Sequence, residues 1–511
     1  MSTASNPLLL LILDGWGQLA TIAYNAIAQA NTPQWHAWCQ HFPFAELDAS
    51  GTAVGLPEGQ IGNSEVGHMH IGAGRIISQD LVKINQDITS QAFFELAPLV
   101  NICEDTAKRG VCLHVMGLLS DGGIHSHEQH LFAFLALACR HHCPNIALHL
   151  FTDGRDTSPQ SAKKNIKHLE SLLKQYPFAR IASLSGRFYS MDRDKRWDRI
   201  EKTYRLLTSG EAAHYNTATE AIEANYAKGI DDEFIEPCLI GPTPAIIQNA
   251  DNAFFFNFRA DRAIQLTDAL SSLNFDGFER ARFPKLNQML CMLPYASFLA
   301  TTSVYPAHAV KNSLGELLST HGLSQLRIAE TEKFPHVTFF FNGGQEDPFA
   351  NEHRLLISSP KVTTYNLAPK MRAHDITTEL IHAIQTKKYD VIIANFANAD
   401  MVGHCGDMTT TIEAIECLDD CFKRLDEALR KYNAHAIITA DHGNAEIMFD
   451  EDTQQAHTAH TLSPVPFLYI GKNCQLRQKH GSLIDVAPTV LALLGIQKPQ
   501  DMTGTSLLQP E

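Results

Sequence analysis

Six consecutive aliphatic residues, Leu8 to Leu13, end abruptly at Asp14-Gly15-Trp16-Gly17. The run is too short to span a membrane and lacks the alternation of a half-solvated strand, so it reads as a strand buried on both faces. Strands of that kind belong to a parallel sheet with helices on either side. The same grammar recurs along the chain. Residues 113–119 run into Ser120-Asp121-Gly122-Gly123, residues 147–151 into Thr152-Asp153-Gly154-Arg155-Asp156, and residues 181–185 into Gly186-Arg187 and on to Arg193. Residues 253–258 run into Arg259-Ala260-Asp261-Arg262, 391–396 into Asn398-Ala399-Asp400, and 436–440 into Asp441-His442-Gly443-Asn444. Between the last two, Ile412, Ile415, Leu418, Phe422, Leu425 and Leu429 recur at three and four residues, as on the buried face of a helix.

At 511 residues the chain is too long for one core. Strand ends before about residue 80 and after about residue 310 deliver aspartate and histidine, whereas those between deliver arginine together with aspartate and histidine. The expected fold is therefore α/β with two domains, each a mostly parallel sheet flanked by helices. A discontinuous domain of residues 1–79 and 308–511 carries the aspartate and histidine ends, and residues 80–307 are inserted in it. Ligands of open α/β sheets bind beyond the carboxyl ends of the strands, which makes these loops the candidate sites.

The net charge of −15 argues against a nucleic-acid partner, so any anion bound is small and gripped locally. The eleven cysteines include no Cys-x-x-Cys pair. Cys139/Cys143 and Cys417/Cys421 have helix-face rather than zinc-finger spacing, and the set reads as reduced thiols of a cytoplasmic protein. The run at Leu8 lacks a basic n-region, so neither a signal peptide nor a membrane partner is expected.

Ser64 lies among glycines in Gly62-Asn63-Ser64-Glu65-Val66-Gly67-His68 and is a candidate nucleophile. Asp14, Asp400, Asp441, His404, His442 and a further histidine from Gln455-Ala456-His457-Thr458-Ala459-His460-Thr461 supply oxygen and nitrogen donors without sulfur. That set suits manganese, zinc or magnesium, and its size suggests two ions. Asp400 and His404, four residues apart, share a face if their segment is helical. Arg155, Arg187, Arg193, Arg259 and Arg262 offer rigid forks matched to phosphate or carboxylate. A two-metal site, a serine and an arginine clamp together select phosphoryl transfer through a covalent phosphoserine. A Ser-His-Asp hydrolase fits less well, because Ser64 is not in a Gly-x-Ser-x-Gly elbow.

In these motifs and their order, together with Ser120-Asp121-Gly122-Gly123-Ile124-His125-Ser126-His127, Thr331-Glu332-Lys333-Phe334-Pro335-His336 and Thr439-Ala440-Asp441-His442-Gly443-Asn444-Ala445-Glu446, the chain resembles the cofactor-independent phosphoglycerate mutases of the alkaline-phosphatase superfamily nearly end to end. The resemblance implies an alkaline-phosphatase-like metal domain with an inserted substrate domain. It also implies interconversion of 3-phosphoglycerate and 2-phosphoglycerate with two Mn2+ ions, other divalent metals being possible, and no bisphosphoglycerate. Asp400, His404 and His460 would hold one ion, and Asp14, Ser64, Asp441 and His442 the other. His125, Arg155, Asp156, Arg187, Arg193, Arg259, Arg262 and Lys333 would bind substrate, with Lys333 reaching the transferring phosphate. His460 is preferred to His457 because Thr458-Ala459-His460-Thr461 matches the family, whereas Cys405 stands where a threonine is expected. A cytoplasmic monomer is expected. The alternatives are another metal-dependent phosphomutase or phosphatase of the superfamily, or a non-catalytic phosphometabolite-binding protein.

Overall fold

The computed structural model describes residues 6–306, 310–471 and 474–510, and the chain divides into two compact units, Met1–Gln79 with His308–Glu511, and Asp80–Ala307. The boundary at 307/308 lies outside the described residues.

The sheet of the first unit runs Glu352–Ile357, Gln325–Glu330, Val391–Phe396, Leu8–Leu13, His435–Thr439, Val465–Ile470, Phe44–Asp48, His480–Ser482. Leu8–Leu13 sits near its middle, with Leu8 opposite Val391 on one side and His435 on the other. Every pairing is parallel except the two made by Val465–Ile470. All six side chains of Leu8–Leu13 are buried, which is why the run carries no polar residue. At about 1.5–3 kcal/mol per buried aliphatic side chain, this strand alone contributes on the order of 10 kcal/mol of hydrophobic free energy. One covering helix, Met408–Tyr432, starts where the Asp407 carboxylate accepts from the Thr409 and Thr410 amides, and ends at Asn433 in the left-handed region. It buries Ile415, Leu418, Phe422, Leu425 and Leu429, and Trp16, Trp35 and Trp38 pack their rings around Phe422.

The second unit holds a sheet ordered Thr302–Ser303, Gln288–Cys291, Asn252–Phe255, Leu113–Leu118, Ile146–Thr152, Ala179–Gly186, Cys238–Ile240, Ala213–Tyr215. Only the pairing of Ala179–Gly186 with Cys238–Ile240 is antiparallel. Within Leu113–Leu118, Leu113 and Val115 join one apolar cluster and Met116 and Leu118 another. Opposite faces of the strand are thus covered separately, as the unbroken apolar run requires. No described helix is long and apolar enough to cross a membrane.

Candidate active site

Four neighbouring strands of the first unit, Gln325–Glu330, Val391–Phe396, Leu8–Leu13 and His435–Thr439, release Lys333, Asp400, Asp14 and Asp441-His442 at their carboxyl ends. Parallel pairing points all four ends the same way, so residues hundreds apart in sequence share one pocket. Ser64 enters on a helix rather than in a glycine loop. Asn63 caps Ser64–Ala73 by accepting from the Val66 amide, and Gly74 closes it at φ 61°. Gly67 is required on this helix because a Cβ there would lie 2.5 Å from the Asp441 carbonyl oxygen. The helix N-terminus places backbone donors and its positive dipole end beside the serine, a ready seat for a phosphoryl group.

The Ser64 Oγ donates to Asp14 Oδ1 at 3.2 Å and lies 2.9 Å from His442 Nε2. Lys333 Nζ donates to Ser64 Oγ at 2.8 Å, to Asp14 Oδ1 at 2.7 Å and to Asp400 Oδ2 at 2.6 Å. Burial opposes charge on Lys333, but Asp14, Asp400 and Asp441 outweigh it and hold the ammonium well above its ordinary range. For His442 burial likewise opposes protonation, yet Asp441 and Asp14 take the imidazole up to about 9. Burial raises Asp14 and Asp400, but Lys333 together with His442, and for Asp400 also His404 and His460, outweighs it and holds both carboxyls well below the usual carboxylate range. The field of this pocket demands positive charge.

The histidines show what kind. His404 Nδ1 lies 2.6 Å from the Thr458 carbonyl, and His460 Nδ1 lies 2.9 Å from the Gly62 carbonyl. With Nδ1 donating to those carbonyls, each ring turns an Nε2 lone pair inward. The two Nε2 atoms stand 3.1 Å apart, and they lie 3.1 and 3.2 Å from Asp400 Oδ1. Two Nε2 atoms turned on a carboxylate call for a positive charge among them, a proton or a metal ion, and the Asp400 hydrogen bond accordingly raises His404 above its ordinary value. Asp400, His442 and His460 form one group whose ligand atoms all lie within 4.8 Å, and Asp14, Asp441 and His442 form another. The donors are oxygen and imidazole nitrogen, a set that fits a divalent cation.

Some of the structure around this pocket is not readable from motifs. The Asn395 amide donates to Asp14 Oδ2 at 2.8 Å and approaches His68 Nε2 at 3.1 Å. The His68 Nδ1 in turn lies 2.9 Å from the Ser64 carbonyl and 3.1 Å from Asp441 Oδ2. One buried imidazole thus ties the helix that carries Ser64 to Asp441 directly and to Asp14 through Asn395. The signal for Asn395 is a lone amide inside the apolar run 391–396.

In the second unit the arginines gather around carboxylates. Arg187 Nη1 donates to Asp153 at 2.7 Å and Asp156 at 2.5 Å, while Arg193 and Arg259 both reach Asp261. His125 lies 3.6 Å from both Asp156 and Asp261, and burial together with Arg187 pushes it down to about 4. Arg155 pairs with Glu233, and Arg262 donates to the Met191 carbonyl. Arg155, Arg187 and Arg262 line a common cavity of about 320 Å³.

A model of the metalloenzyme superfamily matches residues 6–498. Over 504 residues and 98% of each chain, this sequence is 54% identical to the 2,3-bisphosphoglycerate-independent phosphoglycerate mutase of Legionella pneumophila. The chain belongs to that mutase family. The enzyme of the same name from Coxiella burnetii is 49% identical over 98% of each chain, and that from Pseudomonas syringae is 47% identical over the whole of both. The crystal structure of Leishmania mexicana phosphoglycerate mutase at low cobalt concentration superposes with a TM-score of 0.77 at 32% identity, covering 99% of this chain and 98% of that one. As a phosphoglycerate mutase of the metalloenzyme superfamily, the chain is an isomerase that binds divalent metal.

Proposed function

We propose that Ser64 is the nucleophile of a phosphoserine route by which the protein interconverts 3-phosphoglycerate and 2-phosphoglycerate, without bisphosphoglycerate and with two Mn2+ ions. The observation that carries this reading is the Ser64 hydroxyl, buried at a helix N-terminus with an ammonium 2.8 Å away and an imidazole nitrogen 2.9 Å away. Asp400, His404 and His460 would hold one ion, and Asp14, Ser64, Asp441 and His442 the other. When bound, such ions act as Lewis acids that favour the serine alkoxide and neutralise phosphoryl oxygens.

The chain's own residues do the rest. Lys333 steadies negative charge first on Oγ and then on the phosphoryl oxygens, from a position fixed by Asp14 and Asp400. The dipole of Ser64–Ala73 favours the same charge. His125, Arg155, Asp156, Arg187, Arg193, Arg259 and Arg262 bind the glycerate. The arginines pair with its carboxylate, and Asp156 accepts from a hydroxyl. Retaining the glycerate while the phosphoryl group rests on Ser64 is what makes the reaction an isomerisation, since the group returns to the other hydroxyl of the same molecule. The eleven thiols are all free, in keeping with a cytoplasmic enzyme of glycolysis and gluconeogenesis.

The test is turnover of 3-phosphoglycerate with Mn2+ and no bisphosphoglycerate. The wild-type protein should equilibrate the two isomers, and Ser64→Ala should reduce the rate by at least about 10³-fold while keeping the fold. Undiminished turnover by Ser64→Ala would exclude the phosphoserine route.

A further inference from the structure

We propose that His374, Cys417 and Cys421 form a second, sulfur-bearing metal site in the first unit, built for a thiophilic closed-shell ion of the Zn2+ type and sharing no residue with the carboxylate pocket. Cys417 and Cys421 lie one turn apart on Met408–Tyr432, and His374 is the second residue of Ala373–Thr386, which packs against it. Cys417 Sγ is 3.5 Å from His374 Nε2, and Cys421 Sγ is 3.6 Å from His374 Nδ1. Two sulfurs and one ring nitrogen fall within 4.8 Å of one another.

One ring nitrogen serves one ion, so one of these separations matches an edge of a coordination tetrahedron, and the other sulfur lies within 4.8 Å of that same nitrogen. With Zn–S of about 2.3 Å and Zn–N of about 2.0–2.1 Å, a tetrahedral ion spaces sulfur from nitrogen by roughly 3.5 Å and sulfur from sulfur by roughly 3.8 Å. A disulfide does not fit the same pair. Residues four apart on a helix hold their Cβ atoms about 5–6 Å apart, against roughly 3.5–4.5 Å in a disulfide. An ion bridges the sulfurs without unwinding the helix.

The two thiols are buried at 6% and 0% exposure, whereas His374 is half-buried and gives the ion a way in and a solvent-facing fourth position. Coordination releases both thiol protons to solvent, and the imidazole binds as the neutral base. Sulfur favours the softer ion here, while the oxygen-rich pocket favours the harder one, so the two sites differ in metal preference. The bound ion staples Ala373–Thr386 to Met408–Tyr432. That second helix also packs on Asn398–Gly403, which carries Asp400.

Cobalt reads the site directly. Reduced full-length protein, with Mn2+ present to fill the oxygen and imidazole sites, is titrated with Co2+. The expected result is a near-ultraviolet thiolate-to-cobalt charge-transfer band that saturates at one equivalent and is displaced by Zn2+. Zn2+ should also raise the melting temperature. In the doubly substituted Cys417→Ser, Cys421→Ser chain the band should vanish and mutase turnover should persist. His374→Ala keeps both thiols and should weaken Co2+ binding by about 10-fold or more. It decides the matter if the double variant does not fold. A wild-type spectrum without the band overturns the proposal. So does a band that survives in the double variant, as it would if Cys405 beside His404 were the sulfur, or an unchanged Co2+ affinity in His374→Ala.

Discussion

Lys333 donates its ammonium to the Ser64 hydroxyl oxygen at 2.8 Å, across 269 residues of sequence. Neither residue could hold that position alone. Ser64 is fixed by a capped helix and Lys333 by two aspartates at the ends of neighbouring strands, so the contact depends on the parallel sheet that aligns those ends.

The lysine has two roles that a single substitution separates. Lys333→Met should lower kcat by about 10²–10³-fold, through loss of a preorganised charge next to the reacting oxygen. It should also destabilise the metal-free protein by roughly 3–5 kcal/mol, because Asp14 and Asp400 are left buried without their ammonium partner. Mn2+ supplies the missing charge, so the variant should regain most of its lost thermal stability when metal is added while its activity stays low. Melting curves with chelator and with Mn2+, alongside steady-state rates, check both halves. Equal melting of variant and wild type in chelator would contradict the charge argument.

Metal removal gives the converse result. The Nε2 atoms of His404 and His460 converge on the Asp400 carboxylate as metal donors would, so chelation should abolish turnover, and Mn2+ should restore it better than other divalent ions. His404→Ala should weaken metal affinity by at least about 10-fold, since it removes one donor and leaves the rest of the cluster in place. Elemental analysis of dialysed protein beside activity measures this, and full activity in a metal-free sample would refute it.

In the second unit the telling variant is Arg187→Lys. Arg187 is 3% exposed, and one of its nitrogens serves Asp153 and Asp156 together. A lysine keeps the charge but not the planar fork, so it cannot hold both carboxylates and also face the cavity. KM for 3-phosphoglycerate should rise by about 10-fold or more, with a smaller fall in kcat. A change confined to kcat would place Arg187 outside glycerate binding.

Legibility in the sequence followed the chemistry of burial. Asp14 and Asp441-His442 stand out because each directly ends a largely apolar run, and Asp400 because it follows one by a few residues; a polar residue just beyond a doubly buried strand faces ligand rather than core. Lys333 follows the strand Gln325–Glu330, whose Gln325, Arg327 and Glu330 are polar yet buried, so no apolar run announces it and only the family resemblance pointed there. The segment around Ser64 is rich in glycine, yet it is a helix. Gly67 and Gly72 are there to let it pack against Asp441 and Phe341, a tertiary demand invisible to local propensity. Asn395 and His68 act through each other and through residues distant in the chain, which no periodicity encodes.

Glu330 ends the strand that leads to Lys333 and is fully buried, with the Arg372 amide donating to one carboxylate oxygen at 2.8 Å. Burial dominates and raises the carboxyl from an ordinary 4.5 to about 7, the Arg372 amide offsetting only part of it. The unfolded chain ionises this group near its ordinary value, so the folded state binds the extra proton between the two values. Stability from the protonated form is therefore fully present below about pH 4.5 and is lost as pH rises through about 7. Across that window the loss is on the order of 3 kcal/mol for a shift of this size. Glu330→Gln keeps the shape and the acceptor but cannot ionise. The variant should match the wild-type chain near pH 4.5 and exceed its stability at pH 8, with the gap opening between those values. Denaturant midpoints of both proteins at several pH values measure it, and parallel curves would show that Glu330 does not titrate in this window.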